Sequence, residues 1–125
     1  MFENDYIMRM IHEMVRAMIR LLLGVDTDAS EALILPETVE NDDFQSLLSL
    51  VEQGQINEAE NRLSDLLLAD PGRYFKVALL FYDYLNEMDD DALAAAGYSR
   101  EEIADGLKSV MAQCGYGEIA DTFLL

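Results

Sequence analysis

The sequence predicts an all-α fold, arranged as a compact bundle of five to six helices. Apolar residues recur at steps of three and four along most of the chain, which is the spacing of one face of an α-helix. Alternating apolar and polar runs of strand length do not stand out, and β-branched residues are sparse. Glycines and an Asp-Pro pair divide the periodic segments into lengths typical of helices. We therefore expect helices throughout and no sheet.

The length of 125 residues predicts a single domain that covers residues 1–125. A chain of this size can bury a core without metal or disulfide crosslinks. We divide it into an N-terminal amphipathic helix at residues 1–24, a connector at residues 25–41, and a helical hairpin with C-terminal helices at residues 42–125.

The first helix is predicted from about Asp5 to Leu23, ending at Gly24. Its apolar face is wider than packing against one neighbour requires. Such a helix is either central in the fold or shared with a second subunit, and its four methionines suit a core, a dimer interface or a peptide-binding surface. We predict a homodimer through the first helix, with interface candidates Ile7, Ile11, Met14, Met18 and Leu21.

The later helices are predicted from caps and breaks in the same way. Ser99 followed by Glu102 is a capping box, so a helix begins there and ends at Gly115. Other helices are predicted as well. The first begins near Asp42 and ends before Gly54, and the next two cover about Asn57–Ala69 and Arg73–Met88. A short helix begins at Asp89–Asp91 and ends at Gly97, and a last one covers Glu118–Leu125.

The segment around the second turn keeps the spacing of a helical repeat. The positions that carry it are Gly54, Ile56, Ala59, Leu63 and Pro71. Glycine takes a left-handed backbone without strain, alanine lets two helices approach closely, and proline cannot continue a helix. This segment resembles the second half of a tetratricopeptide repeat (TPR). The leading helix departs from that family at Leu47, and one unit does not make an array. We expect a single TPR-like hairpin.

The stretch DYIMRMIHEMVRAMIRLL, from Asp5 to Leu22, resembles a whole family. That family is an uncharacterised group of small acidic all-helical proteins from Gram-positive bacteria. The resemblance implies a bacterial cytoplasmic protein and supplies no activity.

The net charge of −17 limits the partners. It repels nucleic-acid phosphates and anionic membrane surfaces, so we expect neither as a partner. The N-terminus lacks the pattern of a secretory signal, and no apolar run reaches membrane-spanning length. Cys114 is the single cysteine, so no disulfide forms within the chain. We expect a cytoplasmic location.

The connector contains a candidate calcium loop. The residues at positions one, three, five and twelve are Asp26, Asp28, Ser30 and Glu37. Their spacing resembles an EF-hand, although glutamate stands where that family has its turn glycine. A chain rich in acids also produces such a pattern without binding calcium.

Two further groups of polar residues are candidate chemical sites by residue type: His12 with its neighbours, and an acidic cluster. His12 lacks the second histidine of a zinc-protease helix, because Arg16 stands at that position, so we expect a surface histidine. An acidic cluster follows the fourth helix: Asp83, Glu87, Asp89, Asp90 and Asp91. It suits a solvated helix end, a divalent cation or a basic peptide. We predict no enzyme, no catalytic residue and no cofactor.

The C-terminal segment has a further resemblance. Gly97 and Tyr98 precede Leu124 and Leu125 at a spacing similar to that of a ubiquitin-associated (UBA) module. In that family the glycine-aromatic loop and the terminal leucines form a peptide-binding patch. The middle helix is longer here than in that family.

Together these patterns predict a non-enzymatic protein–protein interaction or scaffold protein that self-associates through its first helix. One alternative is a sensor that binds a small ligand or divalent cation with its acidic loops. The other is a UBA-like peptide-binding module. The protein partner itself cannot be read from the chain.

Overall fold

Helices form almost all of the computed structural model, which describes residues 2–23 and 39–119. In chain order they are α1 (Phe2–Leu23), α2 (Val39–Glu52), α3 (Ile56–Ala69), α4 (Pro71–Glu87), α5 (Asp90–Ala95) and α6 (Arg100–Gln113). A helical turn follows at residues 117–119. These two ranges contain no strand, so the all-α prediction is confirmed. With the last turn they hold seven helical segments, more than the five to six predicted.

Helix α4 lies at the centre of the bundle. It packs against α2 and α3 and also against α1 and α6, while α1 packs on α6 and α2 on α3. A helix with neighbours around most of its circumference must be apolar around most of its circumference. Its buried residues are Tyr74, Phe75, Val77, Ala78, Leu79, Phe81, Tyr82, Leu85 and Asn86.

The wide apolar face of α1 is covered within the same chain. Because α1 contacts both α4 and α6, it needs two packing surfaces rather than one. Ile11, Met14 and Met18 are fully buried, and Ile7 is half-buried against the same core. These four residues therefore belong to the intramolecular core, which corrects their assignment to a dimer interface. Leu21 is 56% exposed and offers the most surface of the five candidates.

The start of α4 corrects the predicted role of Pro71. Asp70 is the N-cap, and its Oδ1 accepts a hydrogen bond of 3.1 Å from the backbone N–H of Arg73. Proline suits the first helical position because its missing N–H has no partner there in any case. Pro71 therefore begins α4 instead of only stopping α3, and α4 starts two residues before the predicted Arg73.

The turn between α2 and α3 contains Gly54 in a left-handed conformation, with φ +78°. Across this turn the two helices pack together as a hairpin, in which Leu47, Ala59 and Leu63 are buried. The start of α2 lies at Val39, three residues before the predicted Asp42.

Helices α5 and α6 begin at the caps that the sequence predicts. Asp89 Oδ1 accepts a hydrogen bond of 2.7 Å from the N–H of Ala92 and caps α5, which buried Leu93 anchors. Gly97 follows with φ +71°. Ser99 Oγ accepts a hydrogen bond of 3.2 Å from the N–H of Glu102, which confirms it as the N-cap of α6.

Candidate functional site

Three side chains that can bind metal ions meet where α1 crosses α4. His12 comes from α1, and Asp83 and Glu87 stand one helical turn apart on α4. One potential ligand atom from each residue lies within 4.8 Å of the other two. His12 and Asp83 are half-buried and Glu87 is exposed. We call these three residues the open cluster.

A shallow groove of about 340 Å³ opens beside the open cluster. Its lining consists of Asp5, Met8, Arg9, His12, Asn86 and Glu87. The imidazole and one carboxylate of the open cluster thus face a space that a small ligand or water can enter.

A buried asparagine fixes the distance between α1 and α4 next to the open cluster. Asn86 is 1% exposed, and its Nδ2 donates a hydrogen bond of 3.0 Å to the carbonyl oxygen of Met8. Arg100 Nη1 donates to the carbonyl of Asn86 at 2.9 Å and to its Oδ1 at 3.5 Å. One side chain therefore links α1, α4 and α6.

Arg100 itself is buried at the end of α4. Its Nη2 donates to the carbonyl of Met88 at 2.6 Å, and its Nε donates to Asp90 Oδ1 at 2.9 Å. An arginine in the first turn of a helix is unfavourable for the helix dipole. Here the charge stabilises the carbonyl end of α4 instead, and the carboxylate of Asp90, which is 61% exposed, balances it.

A second polar contact lies between α3, α4 and α6, and we call it the closed cluster. The hydroxyl of Tyr82 donates a hydrogen bond of 2.8 Å to Glu60 Oε2. Burial first, and then the negative charge of Glu60, raise the pKa of both Tyr82 and Tyr98 far above the ordinary tyrosine value. The two hydroxyls therefore keep their protons to a higher pH than an exposed tyrosine does.

Gly106 leaves no free space at the closed cluster. A Cβ atom at this position would lie 2.5 Å from the Tyr82 hydroxyl and 2.8 Å from Glu60 Oε2. The bare backbone of α6 therefore packs directly on the hydrogen-bonded pair. The closed cluster joins three helices and cannot admit a ligand.

A groove of about 530 Å³, lined mainly by apolar residues, lies between the end of α2 and α5, and we call it the α2–α5 groove. Its lining consists of Val51, Glu52, Gln53, Gly54, Tyr84, Met88, Ala92, Ala95 and Ala96. Exposed Tyr84 belongs to α4, and Val51 and Glu52 are the last residues of α2.

The predicted site residues have different outcomes. The calcium candidates Asp26, Asp28, Ser30 and Glu37 lie outside the described residues. His12 is half-buried, lines the groove beside the open cluster and also lies close to Asp83 and Glu87 of α4. Cys114 is half-buried just after α6, and burial raises the pKa of its thiol, as expected for a cysteine away from cations.

Tyr98, the aromatic residue of the UBA-like patch predicted from the sequence, is buried. Tyr98 is 5% exposed, and its hydroxyl donates a hydrogen bond of 3.3 Å to the carbonyl of Glu102. A buried ring cannot form part of a surface patch. Leu124 and Leu125 lie outside the described residues.

The sequence had signals for two residues that it did not identify. Arg100 directly follows the Ser99 cap, at a position where a cation needs another partner. Gly106 lies inside a helix, where glycine costs stability unless close packing requires it. The contact of His12 with Asp83 and Glu87 had no such signal, because it depends on how α1 crosses α4.

In the described part of the chain, no helix combines the length and apolarity needed to cross a bilayer. The model of one protein family, described as a family of unknown function (DUF6483), matches residues 1–115. No curated protein and no solved structure matches the chain.

Proposed function

The chain belongs to this family of unknown function, DUF6483, and we propose that it is a non-enzymatic interaction protein that binds a basic amphipathic segment of a protein partner. The observation that carries the proposal is the α2–α5 groove. This proposal gives the predicted scaffold protein a binding surface, the α2–α5 groove, and a class of partner, a basic amphipathic segment.

The apolar part of the α2–α5 groove suits the apolar face of a helix or extended segment. Ala92, Ala95 and Ala96 contribute small side chains to the lining, and Tyr84 and Met88 contribute larger apolar surface. Small residues allow a partner backbone to approach closely, and an exposed aromatic ring is a frequent anchor of interfaces. A binding segment would enter from solvent, because Tyr84, Ala92 and Ala95 are exposed.

The charge around the α2–α5 groove favours a basic partner. Exposed Glu52 lies in the lining, beside the carbonyl end of α2, which carries the negative end of a helix dipole. Asp89 and Asp91 are exposed on the adjoining α5 segment. The whole chain carries a net charge of −17, so cationic segments are attracted and acidic ones repelled.

The proposal can be tested with two synthetic helical peptides of about 18 residues, long enough to form helices. One contains leucine and lysine, and the other contains leucine and glutamate. Fluorescence anisotropy should show binding of the basic peptide to the full chain and no binding of the acidic one. Ala95→Arg, which fills the groove with a cation, should weaken binding at least tenfold.

Ala69→Arg is the matched control, because it adds the same charge at an exposed alanine that ends α3. It should change the affinity less than twofold. If both variants weakened peptide binding equally, net charge alone would explain the interaction. If Ala95→Arg left the affinity unchanged, the peptide would bind outside the groove. Either result overturns the proposal.

Self-association through α1 stays a prediction, now with a smaller surface. Leu21 is 56% exposed and Tyr6 is 62% exposed on this helix. Light scattering of the chain and of Leu21→Glu at micromolar concentration checks it, and a mass of one chain for both proteins would contradict it. The TPR-like character of the α2–α3 hairpin, the Gram-positive origin and the cytoplasmic location also remain predictions.

A further inference from the structure

We propose that the open cluster, His12 with Asp83 and Glu87, is a binding site for a divalent transition-metal ion, with Zn²⁺ as the reference ion. The site goes beyond the proposed function, because the α2–α5 groove uses none of these three residues. A bound ion would crosslink α1 to the C-terminal half of α4.

The donor atoms determine the class of ion. One imidazole nitrogen with two carboxylate oxygens suits borderline ions such as Zn²⁺, Mn²⁺ and Co²⁺. Ca²⁺ and Mg²⁺ favour sets made only of oxygen atoms, so the histidine selects against them. The histidine also distinguishes this cluster from the other acidic groups on the surface of so acidic a chain.

The geometry requires only small side-chain adjustments. Donor atoms about 2.0–2.2 Å from a shared ion lie about 3–3.5 Å apart, and here the three atoms lie within 4.8 Å of one another. Asp83 and Glu87 occupy successive turns of one helix face, so they can approach an ion from the same side. Half-exposed side chains can close the remaining distance by changing rotamers.

The backbones that carry these ligands are already held in place. Asn86 precedes Glu87 and is hydrogen-bonded to the carbonyl of Met8, one turn before His12. The bonds from Arg100 hold Asn86 in turn. Three protein ligands leave a fourth position, and the α1–α4 side of the cluster opens into the groove that His12 and Glu87 line. A water molecule or a small anionic ligand can fill that position.

Neighbouring cations will limit the affinity. Arg9 lines the same groove, and Arg16 stands one turn after His12 on α1. Asp83 and Arg16 each have a polar partner already, so an ion must compete for the carboxylate. The net charge of −17 acts in the opposite direction and attracts cations to the whole surface. Specific binding must therefore be separated from general attraction.

The test measures thermal unfolding of the full chain during titration with ZnCl₂, and then with CaCl₂. Binding to the folded state alone should raise the unfolding temperature by several degrees at saturating Zn²⁺. Calcium should give a much smaller shift. His12→Gln and Glu87→Gln should each abolish most of the zinc shift while their unfolding temperatures without metal stay close to that of the original chain.

Glu101→Gln is the matched control. Glu101 and Asp105 are exposed acids one turn apart on α6, the same spacing as Asp83 and Glu87, but no histidine is grouped with them among the described residues. This variant should keep the full zinc shift. A shift that survives His12→Gln, or an equal response to calcium, would mean general attraction to acidic surface and would overturn the site.

Cobalt gives a second measurement that does not depend on stability. Co²⁺ bound by the imidazole and carboxylates should develop visible absorption that saturates at one ion per chain and disappears in His12→Gln. Absorption that stays the same in His12→Gln would contradict the assignment, whatever the thermal data show.

Discussion

The open cluster and the closed cluster lie on neighbouring positions of the same helix, yet they differ in what they can do. Tyr82 and Asp83 are adjacent on α4, and the first is sealed under α6 while the second lies half-exposed near α1. In the closed cluster one carboxylate accepts a hydrogen bond from a tyrosine. In the open cluster two carboxylates and an imidazole converge beside a groove.

The difference shows that acidic residues between helices have two distinct roles. Glu60 is satisfied by a hydroxyl donor and packed on a backbone without a side chain, so it stabilises one arrangement of helices. Asp83 and Glu87 carry like charges one turn apart on α4, where an imidazole and an open groove lie beside them. The first arrangement is complete in itself, whereas the second has room for a ligand.

The largest expected effect comes from Arg100→Met, which removes the support of the open cluster. The carbonyl groups of Asn86 and Met88 would lose their donors, and buried carbonyls without partners are costly. We expect the free energy of unfolding to fall by about 3 kcal/mol. Urea denaturation followed by circular dichroism measures it.

Arg100→Met should loosen the helices around the open cluster and leave those of the closed cluster unchanged. Amide hydrogen exchange should quicken first in α1 around Met8, because Asn86 loses its anchor, while α3 keeps its protection. Asp90→Asn is the control, because it changes only the exposed end of the network and should cost less than about 1 kcal/mol. Equal effects of the two variants would show that the buried carbonyls are not what Arg100 stabilises.

The next effect concerns the tight packing of the closed cluster. In Gly106→Ala the new methyl group would overlap Tyr82 and Glu60, which costs about 1–3 kcal/mol. Alanine regains about 1 kcal/mol of helix propensity, so we expect a net loss of about 1 kcal/mol. Gly72→Ala, whose methyl would meet only Asp70 at 3.8 Å, should instead stabilise α4 slightly. Chemical denaturation of both variants gives the difference, and two effects of the same sign would refute the packing argument.

Alkaline pH should separate Tyr82 from the exposed tyrosines. The pKa of Tyr82 is raised from its ordinary value of 10.0, so folding favours its protonated form. The contribution of protonated Tyr82 to the free energy of unfolding is complete below pH 10. It declines as the pH rises above 10 toward the folded-state pKa. Tyr82→Phe should cost about 1 kcal/mol at neutral pH and flatten the loss of stability above pH 10. Denaturation at several pH values measures both, and an unchanged slope would contradict the assignment.

The sequence determines the elements of this fold better than their packing. Gly54, Gly97 and Ser99 mark their turn or cap correctly, because glycine at positive φ and a serine cap are local effects. Pro71 marks a helix boundary in the sequence but not its kind, because the two roles of proline, ending and beginning a helix, look alike there. The width of the apolar face of α1 predicts that other helices cover it, but it does not say whether they belong to the same chain or to a second subunit.

The clusters are less predictable for the same reason. His12 and Glu87 are 75 positions apart, and no periodicity within one helix says how another helix crosses it. Their residue types and the one-turn spacing of Asp83 and Glu87 are visible in the chain, but their meeting depends on packing. Arg100 and Gly106 could have been found, since each contradicts the local preference of the helix that holds it.

The smallest expected effects compare the acids of the two clusters directly. Without metal, Glu87→Gln should stabilise the protein by about 0.5 kcal/mol, because it removes a negative charge from the carbonyl end of α4 and relieves repulsion with Asp83. Glu60→Gln should destabilise by a similar amount, because the hydrogen bond from Tyr82 loses its charged acceptor. Denaturation in the presence of a chelator measures both changes.

The opposite signs are the feature that matters in this pair. Both substitutions replace a glutamate by glutamine on a helix and remove one negative charge. The relief of general repulsion within so acidic a chain should therefore raise the stability of both variants equally. Their surroundings differ: a donor hydroxyl lies beside Glu60, whereas a second carboxylate and the carbonyl end of α4 lie beside Glu87. If both variants were stabilised to the same extent, net charge would explain the result, and the distinction between a closed and an open cluster would fail.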